Sequence, residues 1–460
     1  MIKKTALFKK CFFGAMAAFF TLTGAFASWN SYGIPDSAEI REKISSTYFD
    51  APVDFLRTQE NQVLKNDVNE NFQISFNENE KYFIIAITPQ TTIEIQYQNG
   101  DLSESRQKEV FTEGSAGSWI LYKNLSTSKA EKVRWYFNAD SEVYLEFSAE
   151  AKKTFADLIL YDTYLVKHTP LGLPFSRLYT ASFEEIQNWT KNSIPWKKVT
   201  VKSGQYRGLL QTALTVRKYL PKMENLQDAF YNEDGILCDR MTDQPYTLLD
   251  EDGNPYSAKK DGLLQLDSAG FIKWIVDGLI YPYTGSYSDS QSLYQPTVEF
   301  NLLSKTGVLN EKYDIAFALN WTRNLALKAW NVRNVRQLTY KDCGLDLSYN
   351  HFAKVPSYVK DTGYQIDLLK PLLYVQALIE PGYAYLGAVK EFSVTNREDF
   401  VFNNEAAIFP YFDDKGHFDC LVFENGKEMT LDEFMNKYKN SFVNLVRVKC
   451  SEDFYPLENF

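Results

Sequence analysis

The spacing of apolar residues changes once along this 460-residue chain, and that change restricts the fold more than any other feature. Between about Glu60 and Val166, short β-branched or aromatic runs alternate with Asn, Asp, Gly and Ser turns, which is typical of strands. These runs are Phe72–Phe76, Tyr82–Thr88, Thr91–Gln98, Ser118–Tyr122, Val133–Phe137, Val143–Phe147 and the longer apolar stretch Phe155–Val166. Asn99-Gly100 has the composition of a turn. Regularly spaced strands without helices between them predict an N-terminal β-sandwich.

Beyond about Val199, helical patterns come first and strand patterns come last. Apolar residues at helical spacing predict the helices Tyr206–Tyr219, Ala269–Ile280, Tyr313–Trp330 and Gln365–Ala377. After these helices we expect the strands Tyr383–Val389, Glu405–Phe412, Phe418–Phe423 and Val443–Val448. This order predicts a second domain of the α+β class, joined to the first through the Pro-containing connection Thr169–Pro174. We therefore expect a β-sandwich domain over 28–190 and an α+β domain over 191–460.

The first 27 residues have the composition of a secretory signal peptide. Four lysines precede an apolar run from Cys11 to Phe26, and Ala25-Phe26-Ala27 is typical of a cleavage site. No later segment is long and apolar enough to span a membrane. We therefore expect cleavage near Ala27 and a periplasmic or extracellular mature protein without a membrane span.

The charge balance and the cysteine spacing exclude several classes of site. The chain has 49 basic and 59 acidic side chains, and loss of the four signal-peptide lysines would leave a net charge near −14, which disfavours nucleic acid as a partner. Cys238, Cys343, Cys420 and Cys450 allow disulfides or free thiols, and their spacing matches no metal site. The acidic stretch Asp250–Asn254 lacks the full calcium loop, so it predicts a solvated turn. We expect no cofactor and no metal.

The segment Asp267-Ser268-Ala269-Gly270-Phe271 carries the clearest functional signal. It opens an amphipathic helix whose first turn offers unpaired N–H groups and a positive dipole end, an environment that activates a thiol. Ser268 occupies that place. The alternative interpretation is an ordinary Asp or Ser cap of a buried helix, without any catalytic meaning.

This segment resembles the start of the central helix in the NlpC/P60 family of cell-wall peptidases, which read Asp-Cys-Ser-Gly-Phe/Leu-Val there. The chain matches at Asp267, Gly270 and Phe271 and conservatively at Ile272. It departs at the reactive position, where Ser268 replaces the cysteine, and at Ala269, which replaces the serine.

Later segments follow the order of the same family. Glu380–Leu386 resembles the strand after the family's Pro-Gly-Asp loop, and Tyr383 lies in it. Glu405–Phe409 resembles the strand that begins His-Val-Gly-Ile, with Glu405 at the position of the general-base histidine. Gly426–Phe434 and Val443–Val448 resemble the closing loop and the last strand, so that the resemblance extends from about 262 to 448.

The resemblance implies a papain-like domain in which a central helix packs on an antiparallel sheet. It places Ser268 and Glu405 in a degenerate catalytic site, with Asp267 and Tyr383 as binding residues. If Asp413–Gly416 is the hairpin turn, Glu405 faces Glu424 across the two strands, and Glu424 joins the site. His417 then lies roughly 23 Å from Glu405 along the strand, at ~3.3 Å per residue, too far to act as its base.

The expected function is binding without catalysis. A serine hydrolase needs a base beside its hydroxyl, and an ordinary carboxylate with a pKa near 4.3 serves poorly. The other histidines, His168 and His351, lie outside the family pattern. We expect an inactive domain that binds peptidoglycan stem peptides or an envelope protein. The alternatives are an active envelope hydrolase that uses Ser268, an interaction protein that acts through its sandwich domain, and an unrelated fold.

Overall fold

The structure is a computed structural model that describes residues 33–99, 102–202, 204–353, 357–392 and 399–458. The expected signal peptide, residues 1–27, lies outside this range. The chain forms two compact units, one made of Met1–Phe137 with Phe175–Ile186 and the other of Asn138–Pro174 with Gln187–Phe460. The domain boundary near residue 190 stays a prediction.

The described part of the first unit contains two short α-helices and a sheet of antiparallel strands. Its elements are α1 Ala38–Ile44, α2 Val53–Leu56, β1 Gln62–Lys65, β2 Asn71–Glu78, β3 Tyr82–Asn99, β4 Leu102–Phe111, β5 Trp119–Asn124 and β6 Ala130–Trp135. Five strands pair in the order β1-β2-β3-β5-β6, and β4 pairs with the second half of β3. These strands belong to one connected antiparallel sheet. Strand pairing in the described part of this unit therefore shows a sheet, and its packing as a β-sandwich stays a prediction.

The predicted division of β3 into two strands was wrong. The segments Tyr82–Thr88 and Thr91–Gln98 form one continuous strand, because its first half pairs with β2 and β5 while its second half pairs with β4. Sequence reasoning missed β4, whose side chains are largely polar. Of the predicted Asn99-Gly100 turn, Asn99 ends β3 opposite Leu102, and Gly100 lies outside the described residues.

The second stretch of the first unit, Phe175–Ile186, is held by aromatic contacts and by a buried arginine. The ring of Phe183 lies 4.7 Å from that of Trp135, edge to face, and both side chains are buried. The guanidinium of Arg41 donates to the carbonyl oxygens of Tyr179 and Ala181 and pairs with Asp36. These contacts satisfy a charge that would otherwise be costly to bury.

The second unit contains most of the helices. Its helices are α4 Arg207–Tyr219, α5 Ser268–Thr284, α6 Lys305–Tyr313, α7 Phe317–Asn334, α8 Tyr340–Cys343, α9 Leu369–Ile379 and α10 Leu431–Lys437, while α3 Phe183–Thr190 crosses the division between the units. The helix predicted over Tyr313–Trp330 instead begins at Phe317, because Asp314 adopts a left-handed conformation (φ 44°) that ends α6.

The strands of the second unit include three that precede its helices, several short hairpin strands and a larger sheet. They are β7 Val143–Glu150, β8 Lys153–Leu160, β9 Thr163–Leu171, β10 Met223–Asn225, β11 Ala229–Tyr231, β12 Leu237–Asp239, β13 Gln244–Pro245, β14 Thr247–Leu249, β15 Pro255–Ser257, β16 Leu264–Leu266, β17 Tyr364–Gln365, β18 Tyr383–Phe392, β19 Phe400–Phe412, β20 Phe418–Glu424, β21 Lys427–Thr430 and β22 Phe442–Lys449. The sheet has the order β17-β22-β18-β19-β20-β21 and is antiparallel.

The helix α5 packs on this sheet, as the sequence predicts. Its residues Phe271, Ile272 and Ile275 share one apolar core with Ala407 and Phe409 of β19 and Phe423 of β20. Twelve of its residues are buried, which explains the nearly continuous apolar sequence. The mixed α+β class with a large antiparallel sheet is thereby confirmed. Among the described residues, no helix combines the length and hydrophobicity needed to cross a membrane.

Candidate functional site at the start of α5

The first turn of α5 is held by a capping aspartate and a close backbone contact. The Asp267 carboxylate accepts a hydrogen bond from the Gly270 N–H at 2.6 Å, and the Asp267 N–H donates to the carbonyl oxygen of Ala229 at 2.9 Å. A Cβ atom at Gly270 would lie 2.3 Å from that same oxygen, so only glycine fits. The helix begins at Ser268, which confirms the predicted position of this residue at the first turn.

Arg240 supports Asp267 from the hairpin that follows β12. Its Nε lies 3.0 Å from Asp267 Oδ2, its Nη2 donates to Asp228, and its guanidinium stands 4.2 Å from the ring centroid of Phe317. The phenol of Tyr294 donates a hydrogen bond to the backbone oxygen of Arg240 at 2.5 Å. Burial raises the pKa of Asp267, and Arg240 opposes that rise. Sequence reasoning missed Arg240 and Asp228, because no local pattern links them to the helix.

Ser268 and Glu405 lie together, as the resemblance implies. The Ser268 hydroxyl donates to the backbone oxygen of Glu405 at 3.4 Å, and Glu405 is 2% exposed. Burial, together with a smaller effect of Asp267, raises the pKa of Glu405 to about 8 against the opposing effects of the Ser268 hydroxyl and Arg240. At pH 7 Glu405 is therefore mainly protonated. A protonated carboxyl donates a hydrogen bond and cannot take the serine's proton.

Glu424 does not join this pair, because the predicted hairpin register was wrong by one residue. Ala406, not Glu405, faces Glu424, and Phe412 faces Phe418. The turn contains five residues, since the Asp413 carboxylate accepts from the N–H groups of both Lys415 and His417. Neighbouring strand residues point to opposite faces, so the extra turn residue places Glu424 on the face opposite Glu405. There it accepts hydrogen bonds from Lys437 and Tyr438.

Tyr383 lies at the other end of the sheet from Glu405. Glu405 faces Ala388, which lies five residues beyond Tyr383 in β18, roughly 16 Å along the strand at ~3.3 Å per residue. The neighbour of Tyr383 is Lys449, whose Nζ stands 4.5 Å from the ring centroid. The structure thus brings Asp267, Ser268 and Glu405 together and leaves Glu424 and Tyr383 outside.

All three histidines of the chain are described, and each has its contacts elsewhere. His417 ends the β19–β20 turn, half exposed, with its Nδ1 3.5 Å from Asp140. His168 stacks on Phe155 with ring centroids 3.9 Å apart. His351 lies between Lys198 and Gln376, and burial together with Lys198 lowers its pKa to about 4. None of these contacts involves Ser268, in agreement with the sequence argument about His417.

An open pocket of about 580 Å³ adjoins the start of α5. Arg240 lines this pocket and also pairs with Asp267, the cap of the helix. Its walls include the aromatic side chains of Tyr294, Tyr313 and Phe317 and the carboxylates of Asp243 and Asp314. Arg240 is already paired with two acids, so Asp243 and Asp314 leave the pocket with a negative charge. This surface favours a ligand that carries a cationic group.

The other candidate features from the sequence are the described cysteines and the acidic stretch Asp250–Asn254. All four described cysteines are free thiols, and Cys238, Cys420 and Cys450 are buried. The acidic stretch forms the β14–β15 turn, in which the Asp250 carboxylate accepts from the N–H groups of Asp252 and Asn254 and has its pKa lowered by backbone hydrogen bonds. Within the described ranges, no group of three or more His, Cys, Asp or Glu side chains is arranged to hold a metal ion.

Comparison with known proteins gives one finding, and it concerns the N-terminal part. A family model described as a domain of unknown function, DUF8515, matches residues 30–198. No curated protein and no solved structure gives a significant match to the chain. The matched range ends before α5, so it carries no information about the Ser268 site.

Proposed function

We propose that the chain is a secreted envelope protein whose C-terminal region is a degenerate, papain-like NlpC/P60-type domain that binds peptides without cleaving them. The part of this proposal that concerns secretion is supported by the signal-like sequence that ends near Ala27. The N-terminal β-sandwich, the other fold element of this proposal, is supported by the antiparallel strands of the first unit.

The single observation that carries the proposal is the position of Glu405 relative to Ser268. These residues are 137 positions apart in the sequence, yet the hydroxyl at the start of α5 contacts the strand on which the family's base would stand. If the motif matches had arisen by chance, we would not expect these two residues to contact each other at the start of the same helix. The meeting supports the family resemblance for Asp267, Ser268 and Glu405 together.

The same geometry supports a loss of catalysis. A hydroxyl needs a neighbouring base to become a nucleophile, and the protonated Glu405 is not one at pH 7. The histidines, which could serve, contact other parts of the molecule. Loss of the base from such a unit commonly costs a factor of thousands or more in rate.

The pocket beside Arg240 supports a peptide with a free amine as the ligand. Its volume of about 580 Å³ suits a small peptide rather than a protein surface. Asp243 and Asp314 provide negative charge, and Tyr294, Tyr313 and Phe317 provide aromatic faces for an ammonium group. Stem peptides of peptidoglycan carry free amines at their amino terminus or on a diamino acid, so they meet these requirements.

The test is calorimetric titration of the mature protein with the tripeptide L-alanyl-γ-D-glutamyl-diaminopimelate and with its fully N-acetylated form. We expect the free tripeptide to bind at least about tenfold more tightly than the acetylated one, because only the former carries ammonium groups. Asp314→Asn should weaken binding by about tenfold and keep the left-handed backbone, which asparagine tolerates.

The matched control is Asp414→Asn, which removes the same charge from the exposed β19–β20 turn. This variant should bind like the wild type. Absence of tripeptide binding, or equal binding of the acetylated form, would contradict the proposed ligand and leave an envelope protein as the partner.

One observation favours the runner-up, an active hydrolase that uses Ser268. The raised pKa of Glu405, about 8, makes its ionised form a stronger base than an ordinary carboxylate. Such an enzyme would gain rate as the pH rises through 8, since only ionised Glu405 can take the proton. Hydrolysis of the tripeptide with this pH profile is the result that would establish it.

A further inference from the structure

A second, smaller pocket lies at the opposite end of α5 from Ser268. Its volume is about 220 Å³. It is lined by residues of α5, α7, β18 and β22, among them Leu279, Tyr283, Trp330, Arg333, Arg447 and Lys449. Tyr283 lies fifteen residues beyond Ser268 in α5, roughly 22 Å along the axis at ~1.5 Å per residue, so the pocket is separate from the proposed peptide site.

Two cations from different elements meet at this pocket. Arg333, in the last turn of α7, donates from Nη1 to the backbone oxygen of Lys449 at 3.1 Å and stands 5.9 Å from the ring centroid of Tyr283. Lys449, at the end of β22, donates from Nζ to the carbonyl oxygen of Pro381 at 2.7 Å and stands 4.5 Å from the Tyr383 ring. Each contact leaves further N–H donors on both groups.

Arg447 adds a third cation with spare hydrogen-bonding capacity. Its Nε lies 3.4 Å from a Glu380 carboxylate oxygen, and its Nη1 donates to the Gly344 oxygen at 3.4 Å. Its buried Nε and Nη2 make no hydrogen bond to any described residue. Arg447 therefore adds positive charge and an unused Nη2 donor to the lining of this pocket.

The local charge contrasts with that of the whole protein. Arg333, Arg447 and Lys449 line one pocket, and Arg447 pairs with Glu380, in a chain that has ten more acidic than basic side chains. Burial lowers the pKa of Lys449, and repulsion from Arg333 lowers it further. Like charges at this spacing repel, and an anion between them would relieve the repulsion.

The walls indicate which kind of anion fits. Leu279, Trp330 and Val448 are apolar, and Tyr283 and Tyr383 add aromatic rings. These walls can pack against an organic ligand, whereas an inorganic ion has no apolar part for them to contact. We propose that this pocket binds a small organic carboxylate with an apolar or aromatic body, its carboxylate at Arg333 and Lys449 and its body against Trp330 and Leu279. This site is independent of the proposed peptide site.

The experiment uses benzoate, with benzamide as its neutral counterpart and inorganic phosphate as an anion that lacks an apolar ring. Calorimetric titration of the mature protein should show one benzoate site and about tenfold weaker binding of both benzamide and phosphate, since charge and body each contribute. Arg333→Met and Lys449→Met should each weaken benzoate binding by about tenfold.

The matched control is Lys415→Met, which removes one positive charge from the exposed β19–β20 turn and should leave benzoate binding unchanged. Circular dichroism of each variant confirms folding, and Arg333, which is exposed, gives the informative variant if Lys449→Met does not fold. Absence of benzoate binding overturns the proposal. So does equal binding of benzoate and benzamide, tighter binding of phosphate, or equal binding by Arg333→Met and Lys415→Met.

Discussion

Glu405 and Glu424 lie in the same hairpin and are both buried, at 2% and 3% exposure, but their surroundings differ. Glu424 faces α10, where Lys437 and Tyr438 donate hydrogen bonds to its carboxylate. Glu405 faces the start of α5, where a serine hydroxyl and a second carboxylate, that of Asp267, are its neighbours. The nearest cation, Arg240, is bonded to Asp267 and Asp228 instead.

The difference separates an acid that is paired with hydrogen-bond donors from one that is buried beside another acid. A buried carboxylate with a cation and a phenol as donors is satisfied and holds α10 to the sheet. A buried carboxyl beside a hydroxyl and another acid lowers stability at neutral pH, and such arrangements concentrate at functional sites. We therefore expect removal of the acid to stabilise the protein at Glu405 and to destabilise it at Glu424.

The largest expected effect is the pH response of Glu405→Gln. Folding raises the pKa of Glu405 to about 8, so the folded wild type holds a proton that the unfolded chain releases above about pH 4.5. Wild-type stability should therefore fall between pH 5 and 8, and the glutamine, which mimics the protonated acid, should remove that loss. The variant should gain about 3 kcal/mol in free energy of unfolding relative to the wild type over this range.

Urea unfolding of both proteins at pH 5, 6, 7 and 8 measures this difference. Glu458→Gln changes an acid near the C-terminal end of the chain and serves as the control, with parallel curves expected. If the Glu405→Gln and wild-type curves also run parallel, Glu405 is ionised in the folded state and the contrast with Glu424 disappears.

The next effect is a loss of stability in Glu424→Ala. The change leaves the hydroxyl of Tyr438, which is 3% exposed, without its acceptor and removes the partner of Lys437. We expect a loss of about 2 kcal/mol in free energy of unfolding at pH 7, most of it from the buried phenol because Lys437 is half exposed. Glu452→Ala, an exposed partner of Arg207, should cost less than about 0.5 kcal/mol. Equal losses would mean that Glu424 is not a structural anchor.

Arg240→Gln tests whether the cation supports Asp267. The substitution leaves two partly buried carboxylates, Asp228 and Asp267, without their shared partner, so we expect a loss of about 1.5 kcal/mol in urea unfolding at pH 7. The loss should shrink at pH 4, where more of Asp267 is protonated, since burial raises its pKa. Arg207→Gln, a largely exposed arginine, is the control. A loss that does not change with pH would show that the arginine acts by packing on Phe317.

The smallest effect is expected for Ser268→Ala. Its hydroxyl makes one long hydrogen bond of 3.4 Å and caps no N–H group, because Asp267 is the cap. The free energy of unfolding should change by less than about 0.5 kcal/mol, measured by urea at pH 7. Asp267→Ala, which removes the cap, should cost about 1 kcal/mol. The reverse order would make Ser268 the structural residue of this turn.

The sequence allowed the elements of the site to be predicted, because each depends on local periodicity. The apolar spacing after Asp267 predicted α5 within a few residues, and the later apolar segments predicted β18, β19, β20 and β22. Ser268 and Glu405 followed from motif positions on two of these elements.

The parts that could not be predicted depend on contacts distant in sequence or on a single residue. The one additional turn residue at His417 moved Glu424 to the other face, and no periodicity fixes a turn length. Arg240 reaches Asp267 from a hairpin 27 residues away, without a motif of its own. The polar strand β4 lacks the alternation by which strands are recognised.

The measurement that tests the central claim most directly is turnover of peptidoglycan fragments by the purified mature protein at pH 7. We expect no turnover from the natural sequence and none from Ser268→Cys alone, because Glu405 remains where a base is needed. Ser268→Cys combined with Glu405→His is the variant in which activity could return. Robust hydrolysis by the natural sequence that Ser268→Ala abolishes would contradict the account and establish the chain as an active serine hydrolase.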